Sequence, residues 1–406
     1  MRQKKETTFS DSLFFCVRVR YKLCDMRILH ISSAKTFGGG ERHLVDLCRE
    51  LTRRGHEVFV ALRPTSEWQD RLDFLLRENF LHVSIRNSFG MFSAKRIGNF
   101  IDKTSIDIIH AHVARDYLAA SVAARVAKST KLVLTRHVVF PMKPFHRFAL
   151  RNVDAAIAVS TAVRGQLEKI FPAEKIRVIP NGIDFTDKTT DANNQLAKEF
   201  RALHSIPMDV PLVVTLGELK VLKGQRDFVL AASEIVKRVP DVRFVVAGKD
   251  NTIDQKFRRE LKRLVRVLGM EEKFLWLDWL DDTSPLLAAA DVFVSPSHSE
   301  SFGLAILDAM AAGIAVIATE TDGAKELICD ADALSPIKDP LTLAAKISRL
   351  LEDADARRDL GEKLKNTARE NFSLNRMVDA TENVYRELLS EPPTVMGGLT
   401  QSGETR

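Results

Sequence analysis

The chain has 406 residues, 45% of them apolar and 28% charged, with 60 Lys and Arg against 54 Asp and Glu for a formal net charge of +6. Those proportions suit a soluble globular chain of roughly two or three domains and exclude wholesale disorder, which needs low hydrophobicity and high net charge. No apolar run approaches the ~20 residues that cross a bilayer, and Cys16, Cys24, Cys48 and Cys329 form no CxxC pair, so neither a disulfide framework nor a structural zinc is expected and a reducing compartment fits.

Residues 1–25 set Arg2, Lys4, Lys5, Arg18, Arg20 and Lys22 against Glu6, Asp11 and Asp25, which is half of the net charge. The body is therefore only mildly basic. No long basic stripe interleaved with aromatics occurs, so no nucleic-acid partner is expected. A mildly basic body suits anionic small molecules or an acidic membrane surface. Ser12–Val17 (SLFFCV) is too short for a signal-peptide core and lacks small residues after it. The fold is expected to begin at Met26, with 1–25 a disordered N-terminal extension. A basic membrane-touching arm is the rival reading.

From Met26 short apolar runs alternate with helix-like stretches. Strands are expected at Arg27–Ile31, Val58–Leu62, Ile106–Ala111, Leu132–Thr135, Ala155–Val159 and Arg177–Ile179. Helices are expected at Glu41–Arg54, Asp116–Lys128 and Thr161–Ile170, the last capped by the Ser160 hydroxyl. This alternation predicts βαβ units on a parallel sheet. Asp184–Asn194 (DFTDKTTDANN) is polar and reads as a linker, followed by a helix at Leu196–Leu203. The alternation then restarts. Strands are expected at Leu212–Leu216, Val242–Ala247, Phe274–Leu277, Val292–Ser295 and Ala315–Ala318, and helices at Gly224–Arg238, Gln255–Leu268, Phe302–Ala312 and Leu341–Leu351. Two further helices, 355–371 and 374–389, precede a tail, 391–406, expected to be disordered. The chain thus reads as two α/β halves of similar size that divide near 190–210.

In open parallel sheets ligands bind beyond the carboxyl ends of the strands, so residues there are the candidates. Gly38-Gly39-Gly40-Glu41 joins the first strand to a helix and suits close backbone approach of a phosphate or sugar, or is simply a flexible turn. It is not a dinucleotide fingerprint. His43 stands where the third glycine would be, and the second strand ends without an acid. Leu216-Gly-Glu-Leu-Lys-Val-Leu-Lys-Gly224 places Lys220 and Lys223 before a helix, which suits a diphosphate as well as a solvated basic turn.

Ser295-Pro-Ser-His-Ser-Glu300-Ser-Phe-Gly-Leu-Ala-Ile-Leu-Asp308 sets two carboxylates eight residues apart. On a helix these fall on nearly one face, about 12 Å apart along the axis. That exceeds the roughly 5–9.5 Å of a hydrolase pair and suits gripping two ends of an extended ligand. A helix-start charge and a surface charge are the plainer roles. His110 and His112 alternate on one strand face and His137 follows another strand. Buried, hydrogen-bonded histidines are the reading preferred to a metal site. The acidic pairs Asp330/Asp332 and Asp353/Asp355 fall in expected loops without supporting ligands.

In this order, the features resemble those of the GT-B glycosyltransferases, in particular the large retaining family 4. The resemblance runs from about Met26 to about Leu389. Its most specific element is PSHSESFGLAILDAMAAG, similar to the family's signature of two carboxylates separated by seven residues. Supporting elements are the GGGE loop, HAH, TRH, Ile179-Pro-Asn-Gly-Ile-Asp184, the LKG turn and Thr321-Asp-Gly-Ala-Lys-Glu-Leu-Ile328. The fold implied is α/β: two Rossmann-like domains with parallel sheets facing across a cleft. Residues 26–195 would form an acceptor domain and 206–373 a nucleotide-sugar donor domain. A helix at 374–390 would cross back to the first domain.

The resemblance implies that Lys223 binds the donor diphosphate and that Glu300 contacts the donor hexose. Phe302, Gly303 and Leu304 would offer backbone N–H groups, and Asp308 would hold the ribose. His137 would sit beside the transferred sugar and Gly39 and Gly40 near the distal phosphate. Two positions depart from the family pattern: Glu218 stands where Arg is usual, with Lys220 a candidate replacement, and Asp308 where Glu is usual. The implied reaction is metal-independent, cofactor-free, retaining transfer of a hexosyl-type sugar from a nucleotide-diphosphate sugar to a glycan, lipid-linked or lipopolysaccharide-type acceptor. The alternative is a non-catalytic nucleotide-sugar binding or assembly protein.

On the acceptor side, His112, Arg147 and Arg151 are candidates. Pro144-Phe-His-Arg-Phe-Ala-Leu-Arg151 is either a helix packing its Phe and Leu inward or an amphipathic basic stretch on an anionic membrane. The expected location is cytoplasmic, with a peripheral place at the inner membrane face on the second reading.

Overall fold

Runs of Val, Ile, Leu and Ala too short for helices and bounded by Gly, Ser and Asp build the strands. A computed structural model describes residues 26–85, 91–127, 130–185 and 190–390. The expected extension 1–25, the tail 391–406, Lys128 and positions 186–189 of the linker lie outside the described residues.

The first sheet contains β1 (Arg27–Ser32), β2 (Glu57–Leu62), β3 (Phe80–His82), β4 (Ile108–Ala111), β5 (Lys131–Arg136), β6 (Ala155–Ala158) and β7 (Ile176–Val178). The second contains β8 (Leu212–Leu216), β9 (Arg243–Ala247), β10 (Phe274–Leu277), β11 (Val292–Ser295), β12 (Ala315–Thr319) and β13 (Leu334–Ser335). Their orders are β3-β2-β1-β4-β5-β6-β7 and β10-β9-β8-β11-β12-β13. β1 pairs in parallel with both β2 and β4, and β8 with both β9 and β11. Each sheet therefore winds outward in both directions from its first strand. The winding reverses between β1 and β4 and between β8 and β11, the two places where such sheets open a crevice for ligands. The glycine loop, the HAH segment, the LKG turn and the SHSESFG loop leave the ends of those four strands.

The central strands β1, β2, β8 and β11 are buried along nearly their whole length, as expected of parallel strands with helices on both faces. Helices contribute one apolar stripe each. The helix Gly39–Arg53, for example, buries Leu44, Leu47, Cys48 and Leu51. Each such side chain stabilises the fold by roughly 1.5–3 kcal/mol. Ser160 caps its helix as expected, accepting the Val163 N–H at 3.3 Å.

By compactness the chain forms two units: the described residues of Met1–Leu134, Phe148–Ala156 and Val378–Arg406, and those of Thr135–Arg147 and Ile157–Met377. This grouping differs from a division at 190–210. Contacts inside the second unit explain it. Val139 N–H donates to Ser301 Oγ at 3.1 Å, Thr161 N–H to Glu326 at 2.8 Å, and Ile183 N–H to the Phe372 carbonyl at 3.1 Å.

Several expected elements shift. The polar linker ends early, because a helix already begins at Thr190, where Asp191 favours its first turn. β3, β13 and the helix Met91–Thr104 were not marked by apolar runs. Asp353 and Asp355 are not in a loop. Asp353 caps the helix Ala354–Asn371 through the Ala356 N–H, and Asp355 lies in its first turn. Asp330 caps a short turn and pairs with Lys363 at 2.8 Å.

Candidate functional site

The second unit assembles most of the candidates around the end of β8. After Leu216 the chain passes Gly217, Glu218 and buried Leu219, then makes a single turn at Val221–Lys223. Gly224 ends that turn with φ 66° and opens the helix Gln225–Arg238. A β-carbon there would stand 1.8 Å from the Pro296 carbonyl oxygen, so only glycine lets the turn lie against the loop that follows β11. His298 N–H in that loop donates to the Leu222 carbonyl at 2.8 Å. The His298 Nε2–H donates to Asp227 at 2.6 Å, because a carboxylate only accepts.

This docking brings Lys223 to Glu300. The ammonium lies 2.6 Å from Oε2 and 3.0 Å from Oε1, with both side chains largely shielded. Glu300 is fixed from its backbone as well, since its carbonyl accepts the Gly323 N–H at 3.1 Å. Ser301 follows, then Phe302, which is buried with its ring edge-on to Phe372 at 5.8 Å. Gly303 has φ 105°, and the helix Leu304–Ala311 begins after it without a side-chain cap.

That left-handed residue corrects the sequence expectation. The helix starts at Leu304 rather than Phe302, so Glu300 lies in the loop and only Asp308 is helical. The eight-residue spacing therefore does not measure a helical face. It joins a loop carboxylate beside Lys223 to a half-buried helical one.

Glu218 and Lys220 form a second pair at 2.6 Å, and Asn251 Nδ2 donates to the same carboxylate at 3.1 Å. Burial pushes the Glu218 carboxyl up, but hydrogen bonds from Lys220 and Asn251 and the charges of Lys220 and Lys223 hold it below its ordinary range. His137 follows β5 half-buried, in the same unit as Lys223 and Glu300 and two residues before the Val139–Ser301 hydrogen bond.

The first unit carries the glycine loop and the other histidines. Gly39 and Gly40 are the first two residues of their helix and Gly38 precedes it in extended conformation. Asp116, which the sequence marks only as a helix start, is fully buried, and its carboxylate accepts the Ser33 N–H at 2.7 Å. Burial raises its pKa to about 6, despite opposing hydrogen bonds and nearby arginines. Glu41 is pushed up by burial and by Asp116, against its own backbone hydrogen bonds.

His30 and His110 are register partners on β1 and β4, and His112 is two residues further on the same face. Nitrogens of all three lie within 4.8 Å of one another, a spacing that a metal ion would accept. They are engaged otherwise. His30 Nδ1 and His112 Nε2 share a hydrogen bond at 3.0 Å, and His110 Nδ1 meets the Tyr385 hydroxyl at 2.5 Å. Burial, reinforced by His43, lowers the His30 pKa to about 3, so His30 is a neutral imidazole. His112 thus matches the buried, hydrogen-bonded reading. Tyr385 had no signal in the sequence beyond its helical stripe.

Arg147 and Arg151 are exposed, and the helix that carries Arg147 spans only His146–Ala149. The inward-packing expectation holds for Leu150 alone. Phe145 and Phe148 are 44% and 73% exposed, because one short turn offers no continuous buried stripe. Arg151 stacks over Phe148 at 5.0 Å. Among the described residues no helix is long and apolar enough to cross a membrane.

Two Rossmann-like parallel sheets, each with loops leaving its switch point, define a GT-B type α/β protein. The sequence model described as Glycosyltransferase Family 4 matches residues 37–187, and that described as Glycosyl transferases group 1 matches residues 197–367. The chain belongs to this glycosyltransferase family. It is 26% identical to the N-acetyl-alpha-D-glucosaminyl L-malate synthase of Bacillus anthracis, over 89% of this chain and 97% of the relative. It is also 26% identical to the lipopolysaccharide core biosynthesis glycosyltransferase LpsE of Rhizobium meliloti, over 91% and 100%. A glycosyltransferase from Rickettsia africae superposes with TM-score 0.80 at 25% identity, over 90% of this chain and 99% of that one. Anabaena HepE in complex with UDP-glucose superposes with TM-score 0.76 at 22% identity, over 90% and 100%.

Proposed function

We propose that this glycosyltransferase moves a hexosyl-type sugar from a nucleoside-diphosphate sugar to a hydroxyl of a glycan, lipid-linked or lipopolysaccharide-type acceptor, with retention and without a metal ion or cofactor. The carrying observation is the Lys223–Glu300 pair beside the uncapped helix start at Leu304. When the bond between the sugar C1 and the phosphate oxygen breaks, negative charge grows on the diphosphate. Lys223 and the N–H groups at Phe302–Leu304 stabilise it, an electrostatic effect worth several kcal/mol in enzymes. Glu300 accepts hydroxyls of the donor hexose and Asp308 those of the ribose. His137 flanks the transferred sugar. The acceptor hydroxyl attacks C1 on the face that the phosphate leaves, and its proton passes to the departing phosphate oxygen.

Glu218 in place of arginine leaves Lys220 as the second cation of the diphosphate site, and on donor binding Lys220 exchanges Glu218 for phosphate. The structural likeness to a UDP-glucose complex supports a nucleotide-sugar donor, and the relationship to LpsE supports an envelope acceptor. Exposed Phe145 and Phe148 among Lys143, Arg147 and Arg151 support peripheral contact with anionic lipid at the cytoplasmic membrane face. Arg147→Glu with Arg151→Glu is expected to release the protein from sedimenting anionic vesicles, and unchanged sedimentation counts against that patch.

The central test is transfer itself. Lys223→Ala and Glu300→Ala are each expected to abolish release of nucleoside diphosphate in the presence of acceptor, with the fold retained by circular dichroism. Normal turnover in either variant refutes the assignment. Nucleotide-sugar binding by the wild type without release, across donors and acceptors, replaces transferase by binder.

A further inference from the structure

We infer that His298 and Asp227 are a positioning pair for Lys223, an inference that rests on the diphosphate role proposed for that lysine. Lysine carries its charge on a flexible four-carbon stem, so where the ammonium stands depends on what holds its backbone and its partner. Lys223 lies between two residues pinned to the loop after β11. Leu222 accepts the His298 N–H at 2.8 Å, and Gly224 lies against Pro296. The His298 side chain adds the third tie, reaching over the turn to Asp227 at 2.6 Å in the first turn of the next helix. Both side chains are about one-sixth exposed, at 17% and 16%. Glu300 is two residues after His298 in the same loop. One imidazole–carboxylate contact therefore sets both ends of the Lys223–Glu300 pair.

The test compares nucleoside diphosphates with their monophosphates, using whichever of UDP, GDP or ADP binds the wild type most tightly by calorimetry. His298→Ala and Asp227→Ala are each expected to weaken the diphosphate about ten-fold, and the double variant about ten-fold as well, because coupled residues are not additive. The monophosphate is expected to bind as before. His298→Gln, which keeps an N–H donor toward Asp227, restores most of the loss. Equal weakening of both nucleotides, a multiplied loss in the double variant, or no loss overturns the inference. Lys223→Ala in an otherwise unchanged chain judges the underlying reading separately: an unaltered diphosphate preference refutes the role of Lys223. The pair is also read without ligand, from the non-additivity of Lys223→Met and Glu300→Gln in urea midpoints. Asp227→Ala, which leaves the His298 Nε2–H no acceptor there, is expected to abolish that non-additivity, and its persistence overturns the inference.

Discussion

A carboxyl group buried as deeply as Asp116 has an unusual acid–base balance. Its pKa rises from 3.8 to about 6 on folding, so between those values the native state binds the proton that the unfolded state has released. The contribution of this group is most favourable in acid and is lost as the pH rises through about 6. Asp116→Asn keeps an acceptor for the Ser33 N–H but removes the charge. The melting temperature of Asp116→Asn relative to wild type is expected to climb between pH 4 and pH 7 and then level off. A difference that does not change with pH means that the carboxyl ionises as an ordinary one. Asp116 had only a weak signal in the sequence, as the first residue of an expected helix. Its burial depends on β1 and β4 being neighbours, which local pattern does not display. The same holds for His298 and Asp227, separated by 71 residues and joined by packing. Lys223 was marked by the glycine that follows it soon after a strand, and Glu300 by its carboxylate spacing and its place in the signature the sequence resembles.

Elements impose their own constraints. Glu382 on the helix Leu374–Ser390 pairs with Arg54 at 2.8 Å, at the end of the helix Gly39–Arg53, and with Arg386 at 2.6 Å. Burial pushes its pKa up, but hydrogen bonds from Arg54 and Arg386 and the nearby His56 and Arg386 charges outweigh this and bring it to about 2. Stability from this pairing is present above the ordinary carboxyl range and lost as the pH falls toward about 2. Glu382→Gln is expected to cost about 1–3 kcal/mol in urea unfolding at pH 7 and progressively less below pH 4. An equal cost at pH 7 and pH 3 refutes the ion-pair origin. Gly224→Ala is the backbone counterpart. Its β-carbon meets the Pro296 carbonyl, so a loss of about 3 kcal/mol or more is expected, and a neutral result places the turn elsewhere. The helix start at Leu304 shows where pattern reading stopped. Phe302 fits an apolar helical stripe, but the left-handed Gly303 turns the chain before the helix begins.

For the whole molecule, two parallel α/β halves were legible in outline, because short apolar strands alternate with helices. The two-residue β13 and the exposed phenylalanines near Arg147 were not, since both depend on what neighbouring segments cover. The donor base is a whole-molecule property as well. A ligand that binds only the native state stabilises it by about 2.7 kcal/mol at a hundred times its Kd. A thermal-shift panel of UDP-, GDP- and ADP-sugars is expected to single out one base, and Lys223→Ala is expected to erase that shift. A panel without any shift refutes the donor reading.

The two-pronged grip of Glu300 on Lys223 has a further consequence. An incoming anion has to win the ammonium from a carboxylate already seated on it. Chloride or inorganic phosphate offers that carboxylate nothing in return. A sugar-bearing diphosphate brings hydroxyls for the carboxylate together with oxygens for the lysine, so both halves of the old contact find new partners at once. On the diphosphate role proposed for Lys223, the contact would act as a filter that turns away simple salts and admits the complete donor.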